Sequence, residues 1–302
     1  MTSAARPSPS STAPAAPSTP SSPSSVGGVS PHDRATAEPD PDATRLVVTR
    51  LRAAGCVFAE DEARILLESA NDRDALEALL RRRESGEPLE RIVGWAEFAG
   101  LRVGITAGVF VPRRRTEYLV RRTLTELRHR GVDSPVIVDL CCGSGAVGLA
   151  LGTALPRARI IAADLDPVAV ACARLNLAAV GGATYCGDLY AALPDELRGR
   201  VDTLAVNAPY VPSDEVRLMP PEARDYEPLA TLDGGEDGLA LHARVAAGAA
   251  EWLAPGGSLL IETSERQAEG TAALVAAGGL AAVIHRSRRR SATVVSGRLA
   301  RS

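Results

Sequence analysis

From residue 135 onward the chain alternates between short apolar runs and longer amphipathic stretches, and that alternation limits its fold more than any other feature. Residues 136–140, 159–164, 201–207 and 258–262 are runs of strand length rich in Val, Ile, Leu and Ala, whereas 146–154, 167–179 and 239–253 have the length and composition of helices. Strands joined through helices pair in parallel, and a parallel sheet buries both faces under those helices. The expectation is an α/β fold, with residues 281–285 and 293–297 closing the sheet as a hairpin. Ligands on such a sheet sit beyond the carboxyl ends of the strands, so the turns that follow strands are where chemistry is expected. No internal repeat interrupts this pattern.

Upstream the chain changes character twice. Residues 1–42 hold ten serines and nine of the 21 prolines, with almost no large apolar side chain, a composition that cannot recover the entropy lost on ordering and predicts a disordered tail. Residues 43–88 carry three short helical patterns: Leu46, Val47 and Leu51; then Ala63, Leu66 and Leu67; then Leu76, Leu79 and Leu80. Gly55 stops the first and Gly86-Glu87-Pro88 the third, which predicts a small helical domain. Residues 89–115, punctuated by Gly94, Gly100, Gly104 and Gly108, read as a connector hairpin, and 116–302 as the sheet domain.

Charge and composition exclude several functions. All 34 basic residues are arginine, set against 37 acidic ones, and only 3% of residues are aromatic; a dedicated nucleic-acid binder carries a basic surplus and stacking rings. No apolar run approaches the roughly 18 residues of a membrane span. The five cysteines form no CxxC pair and no signal-peptide stretch is seen, so a reduced, cytoplasmic compartment is expected. No histidine has a metal-ligand partner at suitable spacing, and no metal is expected.

Three of the strand-ending turns carry a nucleotide-binding pattern. The first reads Asp139-Leu140-Cys141-Cys142-Gly143-Ser144-Gly145 and leads into a helix, its glycines allowing close approach of a ligand to the backbone. The second ends in Asp164-Leu165-Asp166-Pro167, about 20 residues on, where an acid can accept from a ribose diol. Asp164 is the ribose candidate, because Asp166, directly before Pro167, suits a helix N-cap. In the third, Asp188 is placed to face an adenine amino group and Leu189 to pack on the ring, with a plain turn residue as the alternative for Asp188. The fourth turn, Asn207-Ala208-Pro209-Tyr210, is more specific: the asparagine amide offers a donor and an acceptor, and Tyr210 a flat face with a hydroxyl.

At these residues the chain resembles the class I S-adenosylmethionine-dependent methyltransferases, and within them the HemK/PrmC group of protein glutamine N5-methyltransferases. Supporting matches are Gly86-Glu87-Pro88-Leu89, Ile92, Gly94, Glu97-Phe98 and Gly100 in the connector, Val111-Pro112-Arg113 with Thr116-Glu117 at the start of the catalytic domain, and Tyr226-Glu227-Pro228 followed by Gly234-Gly235-Glu236-Asp237-Gly238-Leu239. The resemblance implies a Rossmann-like, mostly parallel seven-stranded sheet, a substrate-recognition role for the helical domain, and S-adenosylmethionine as cofactor. It places the cofactor on Asp139, Cys141, Cys142, Gly143, Ser144, Gly145, Asp164, Asp188, Leu189 and Asn207. It also implies catalysis at Asn207, Pro209 and Tyr210, with Ala208 among the substrate contacts and a glutamine-bearing protein, such as a release factor or another translation protein, as partner. The family motif is Asn-Pro-Pro-Tyr; its asparagine side chain and first proline carbonyl accept both amide hydrogens of the substrate, aiming a weak nucleophile at the methyl group.

This chain departs from that pattern in three places. Ala208 replaces the first proline, although the carbonyl survives; Arg114 and Arg115 replace an expected Pro-Glu pair; and Arg286-Ser287-Arg288-Arg289-Arg290 lacks an acid before the last strand. Both arginine clusters read most simply as solvated surface. Glu262, ending its strand, is weighed equally as structural acid and substrate contact. The alternatives to the leading function are a nucleic-acid N-methyltransferase acting on an exocyclic amine, and a cofactor-binding module without turnover.

Overall fold

The computed structural model of the chain describes residues 1–2, 41–219, 224 and 226–301, so most of the expected tail lies outside the described residues. Helix α1 (Pro41–Ala53) is followed by α2 (Ala59–Ser69), α3 (Arg73–Glu84) and the short α4 (Leu89–Val93). Val47, Leu51, Ala63, Leu66, Leu80 and Ile92 close a small core among these helices. The side chain of Asp72 caps α3 by accepting from the Ala75 N–H at 2.7 Å. The connector contains a two-stranded antiparallel hairpin, β1 (Trp95–Phe98) and β2 (Leu101–Gly104), turned through Ala99 and Gly100, both of positive φ.

Besides the single turn of α4 and a later helix over Ala268–Ala277, α5 (Glu117–Arg130) has no counterpart in the sequence reading. The buried face of α5, Leu119, Val120, Thr123 and Leu127, is spaced for a helix, but four interspersed arginines and a histidine make its average polar. Next come β3 (Val136–Leu140), α6 (Ala146–Ala154), β4 (Arg159–Asp164), α7 (Pro167–Leu177), β5 (Ala183–Cys186), β6 (Val201–Val206), α8 (Ala240–Trp252), β7 (Leu253–Thr263), α9 (Ala268–Ala277), β8 (Ala281–Ser287) and β9 (Ala292–Arg298). They form one seven-stranded sheet of order β5-β4-β3-β6-β7-β9-β8. β9 runs antiparallel to both its neighbours and the other pairs are parallel, so the expected Rossmann-like, mostly parallel fold is present.

Consecutive sheet residues bury on opposite faces. Ile137 and Leu260 pack with α5, α6 and α7 on one side, while Val138 and Leu259 pack with α8 and α9 on the other. Each such side chain contributes about 1.5–3 kcal/mol by leaving water. β7 begins five residues before the expected start, because the Pro255-Gly256-Gly257 step that signals a turn is instead absorbed as a register shift against β6. A Cβ on Gly257 would lie 2.7 Å from the Ala254 carbonyl oxygen and 2.8 Å from that of Val201. The strand order reverses between β3 and β6, and the crevice at that reversal is where an open α/β sheet receives its ligand.

Candidate active site

A cleft opens over the carboxyl ends of β4, β3, β6 and β7, and the expected site residues converge on it. Asp139, Cys141, Cys142, Gly143, Ser144, Asp164, Asp188, Leu189, Asn207, Ala208, Pro209 and Tyr210 all line it. Gly145 stands behind the wall at the N-terminus of α6.

At one end the wall is the turn after β3. The backbone reaches the left-handed region at Cys141 (φ 59°), Gly143 (φ 53°) and Gly145 (φ 75°). At Gly145 a Cβ would lie 3.0 Å from the Cβ of Ala173 on α7, whereas at Gly143 it would meet nothing within 4 Å: the first glycine is required by packing, the second leaves the cleft open. The Gly143 N–H donates to Asp164 Oδ2 at 2.8 Å, and Asp164 Oδ1 accepts from the Asp166 N–H at 3.0 Å. A carboxylate offers about four acceptor sites, so room remains to accept from a ligand hydroxyl. Burial raises the Asp164 carboxyl above its usual range. Asp139 is buried, accepts from the Gly148 N–H at 2.8 Å, and is pushed up to about 8 by the same cause. Asp166 caps α7 through the Val168 N–H, as its place before proline implied.

Asp188 does not stand free. It is exposed and paired at 2.7 Å with Arg244 of α8, which also lines the cleft. Leu189 beside it is buried in the wall with φ 48°. These residues suit S-adenosylmethionine: an open glycine turn for the amino-acid part, an acid with free lone pairs for the ribose, and an apolar side chain for the base.

The other end is built from side chains. Asn207 Nδ2 donates to the buried Thr116 Oγ1 at 3.5 Å. The Tyr210 hydroxyl donates to Glu262 Oε1 at 3.3 Å, and the Tyr210 carbonyl accepts from Gln267 Nε2 at 2.8 Å. Glu262 is 2% exposed. Burial raises its carboxyl, while the Thr116 hydroxyl, Arg115 and Tyr210 each pull the other way. Arg115 Nε lies 3.5 Å from it, with the guanidinium 6.0 Å from the centre of the Tyr210 ring. Arg115 therefore lines the cleft, drawn toward a buried carboxylate, while its side chain stays 46% exposed, as the solvated reading of this cluster expects. Arg288 and Arg289 are exposed, as expected of the second cluster.

Arg113 Nη2 contacts both oxygens of the buried Glu227 at 2.7 Å, and the Val111 N–H adds a third bond at 3.3 Å. This pair holds the segment that supplies Ala230, Thr231 and Leu232 to the wall. Sequence reasoning missed Phe110 and Arg244 as wall residues; Phe110 directly precedes Val111-Pro112-Arg113, and that adjacency was the available signal. His242 lies buried behind Tyr210, its Nδ1 3.0 Å from Thr271 Oγ1. Among the described residues no group of three His, Cys, Asp or Glu is arranged for a metal, and no helix is long and apolar enough to cross a membrane.

Residues 105–219 match the sequence model of the methyltransferase small domain. A release factor glutamine methyltransferase of Streptomyces coelicolor is 41% identical over 189 residues, 63% of this chain and 67% of that one. One of Bradyrhizobium diazoefficiens is 34% identical over 267 residues, covering 82% and 90%. The 4-amino-L-phenylalanine/4-methylamino-L-phenylalanine methyltransferase of Streptomyces pristinaespiralis is 39% identical over 203 residues, covering 66% and 69%.

Proposed function

The chain belongs to the release factor glutamine methyltransferase family, and from that premise we propose that it methylates the side-chain amide nitrogen of a glutamine in a protein substrate, a release factor or another protein of translation, in the cytoplasm. S-adenosylmethionine supplies an electrophilic methyl group, held by the Cys141–Gly145 turn, Asp164 and Leu189. Asn207 carries the reading. With its Nδ2 engaged by Thr116, the amide oxygen is left to accept one hydrogen of the incoming amide, and the Ala208 carbonyl accepts the other. Two fixed acceptors hold the nitrogen's lone pair toward the methyl group, which supplies orientation rather than proton abstraction. Tyr210, anchored on Glu262, and Pro209 wall the acceptor.

Methyl transfer to a purified bacterial release factor tests this, with the modified residue located by mass spectrometry. Asn207→Ala is expected to lower the rate about a hundredfold or more with little change in cofactor affinity, and Asp164→Ala to weaken cofactor binding. Full activity of Asn207→Ala would make the asparagine a turn residue and the glutamine mechanism wrong. A second reading, a small aromatic amine as acceptor, rests on the aromatic side chains of Phe110 and Tyr210 in the wall; transfer to 4-amino-L-phenylalanine in place of protein would select it.

A further inference from the structure

Gln267, directly before α9, is buried, and both ends of its side-chain amide are engaged. Nε2 donates to the Tyr210 carbonyl at 2.8 Å and to the Asp237 carbonyl at 2.9 Å, while Oε1 accepts from the Ser264 hydroxyl at 2.5 Å. Three segments distant in sequence therefore meet on one side chain. We infer that Gln267 is a positioning residue for methyl transfer, a clasp that holds the 207–210 turn against the glycine loop 234–238 and so fixes the acceptor end of the cleft.

The polarity of the clasp is set by its partners. Backbone carbonyls only accept, so the amide nitrogen must face Tyr210 and Asp237, and the oxygen is left for Ser264. Neither carbonyl lies in a helix or strand. The glycines make the contact close: a Cβ on Gly238 would strike both Gln267 Nε2 and the Tyr210 carbonyl oxygen, and one on Gly234 would lie 2.7 Å from Tyr210 Cα and 2.8 Å from the Pro209 carbonyl oxygen. Backbone bonds extend the same seam, from the Gly234 N–H to the Val211 carbonyl at 2.8 Å, from the Val211 N–H to that of Leu232 at 3.1 Å, and from the Ser213 N–H to that of Gly235 at 3.0 Å. Tyr210 is thus held twice, its hydroxyl by Glu262 and its carbonyl by Gln267. The turn needs such support from outside, because Ala208 has no ring to fix its φ where the resemblance has a proline. A misplacement of about 1 Å at a reacting centre costs on the order of a hundredfold in rate. This inference rests on the reading of Asn207 and the Ala208 carbonyl as acceptors.

The test uses the full chain and measures kcat on a purified bacterial release factor, S-adenosylmethionine affinity by calorimetry, and backbone hydrogen exchange by mass spectrometry without substrate. Gln267→Met fills similar space with no donor. It is expected to lower kcat about tenfold or more, to leave cofactor Kd within about twofold, and to speed exchange around Val211, Ser213 and Gly234 but not in the turn after β3. Gln267→Glu has the parent's size but turns an acceptor toward two carbonyls, so it should be worse than Gln267→Met; if filling space were the role, it would be better. Ser264→Ala keeps both carbonyl bonds and frees only the far end of the amide, so it should loosen the seam slightly and cost about threefold in kcat. Full kcat in Gln267→Met beside an impaired Asn207→Ala overturns the clasp and leaves the acceptor reading standing. So does Gln267→Glu outperforming Gln267→Met, or a cofactor Kd weakened about tenfold, which would mark general loosening. If Asn207→Ala is unimpaired, or the parent chain does not methylate the factor, both fall, and faster exchange then marks a structural contact alone. Should both Gln267 variants fail to fold, Ser264→Ala decides, and an unchanged seam with full kcat overturns the clasp.

Discussion

The cofactor end of the cleft and its acceptor end are made of different materials. Around the turn after β3 the functional surface is backbone: three residues of positive φ, an N–H from Gly143 on Asp164 and one from Gly148 on Asp139, all within two strand-turn-helix units. At the acceptor end the surface is side chain, drawn from distant segments: Thr116 with Asn207, Arg113 with Glu227, Tyr210 with Glu262. A backbone surface tolerates exchange of side chains but not loss of a dihedral. A side-chain surface tolerates neither loss of a partner nor reversal of a charge, because its groups are buried and each depends on the next.

Gly145→Val tests the first half of that contrast and carries the largest expected effect. The new Cβ would lie 3.0 Å from Ala173 Cβ at φ 75°, so the turn must open; cofactor affinity is expected to drop by more than about a hundredfold. Cys142→Ala, which leaves the backbone alone, should cost much less. Equal losses in calorimetry would break the comparison. Arg113→Ala tests the second half. It leaves Glu227, whose side chain is 1% exposed, buried without its cation, and breaking such a pair costs about 3–5 kcal/mol. Because the Arg113 side chain is 34% exposed, about half of that is expected in urea unfolding. Arg113→Ala with Glu227→Gln should recover part of it, and no recovery would mean that the loss is not electrostatic.

The same contrast explains what was legible in the sequence. The glycine turn, Asp164 and the cap at Asp166 were readable because their partners lie within a few dozen residues and their φ angles demand particular residue types. The sheet was readable because both its faces are buried, which turns each strand into an unbroken apolar run. Glu262 stood out at its strand end, but its partner did not: one arginine in a cluster carries no local mark, and only the fold that sets the turn before α5 against the end of β7 brings Arg115 to it. Helix α5 escaped because its apolar face is diluted by arginines, and the start of β7 because proline and glycine signal a turn whether the strand bends or ends.

Arg115→Met is expected to move a pH profile more than it lowers a maximum. Burial raises the Glu262 carboxyl and Arg115 opposes it, so removing the guanidinium lifts the carboxyl further. If the acceptor end needs Glu262 ionised, activity is lost as pH falls through its pKa, and the acid limb of kcat should shift to higher pH in the variant, with the plateau reduced less than about tenfold. Thr116 and Tyr210, the other groups that touch Glu262, do not ionise across that limb: the first is an alcohol and burial raises the phenol. An unmoved limb would show that Glu262 does not control turnover through its charge.

The smallest expected effect lies at the cofactor end, on stability instead of turnover. Asp139 is buried with its carboxyl raised from 3.8 to about 8, burial outweighing the Gly148 N–H that favours the anion. In the unfolded chain the same group ionises freely above its ordinary value. Between pH 4 and 8 the unfolded state therefore gains an anion that the folded state resists, and stability falls as pH rises through that window. Asp139→Asn keeps an oxygen for Gly148 and removes the ionisation. Relative to the parent, the variant should gain almost nothing near pH 4 and progressively more toward pH 8, where a gain on the order of 1–3 kcal/mol is expected, less than the full linkage because the new amide hydrogens need acceptors of their own. Urea unfolding at four pH values between these limits measures it. A stability difference that does not grow with pH would mean that Asp139 is ionised in the folded chain at neutral pH, and that the cofactor end, like the acceptor end, depends on a buried charge.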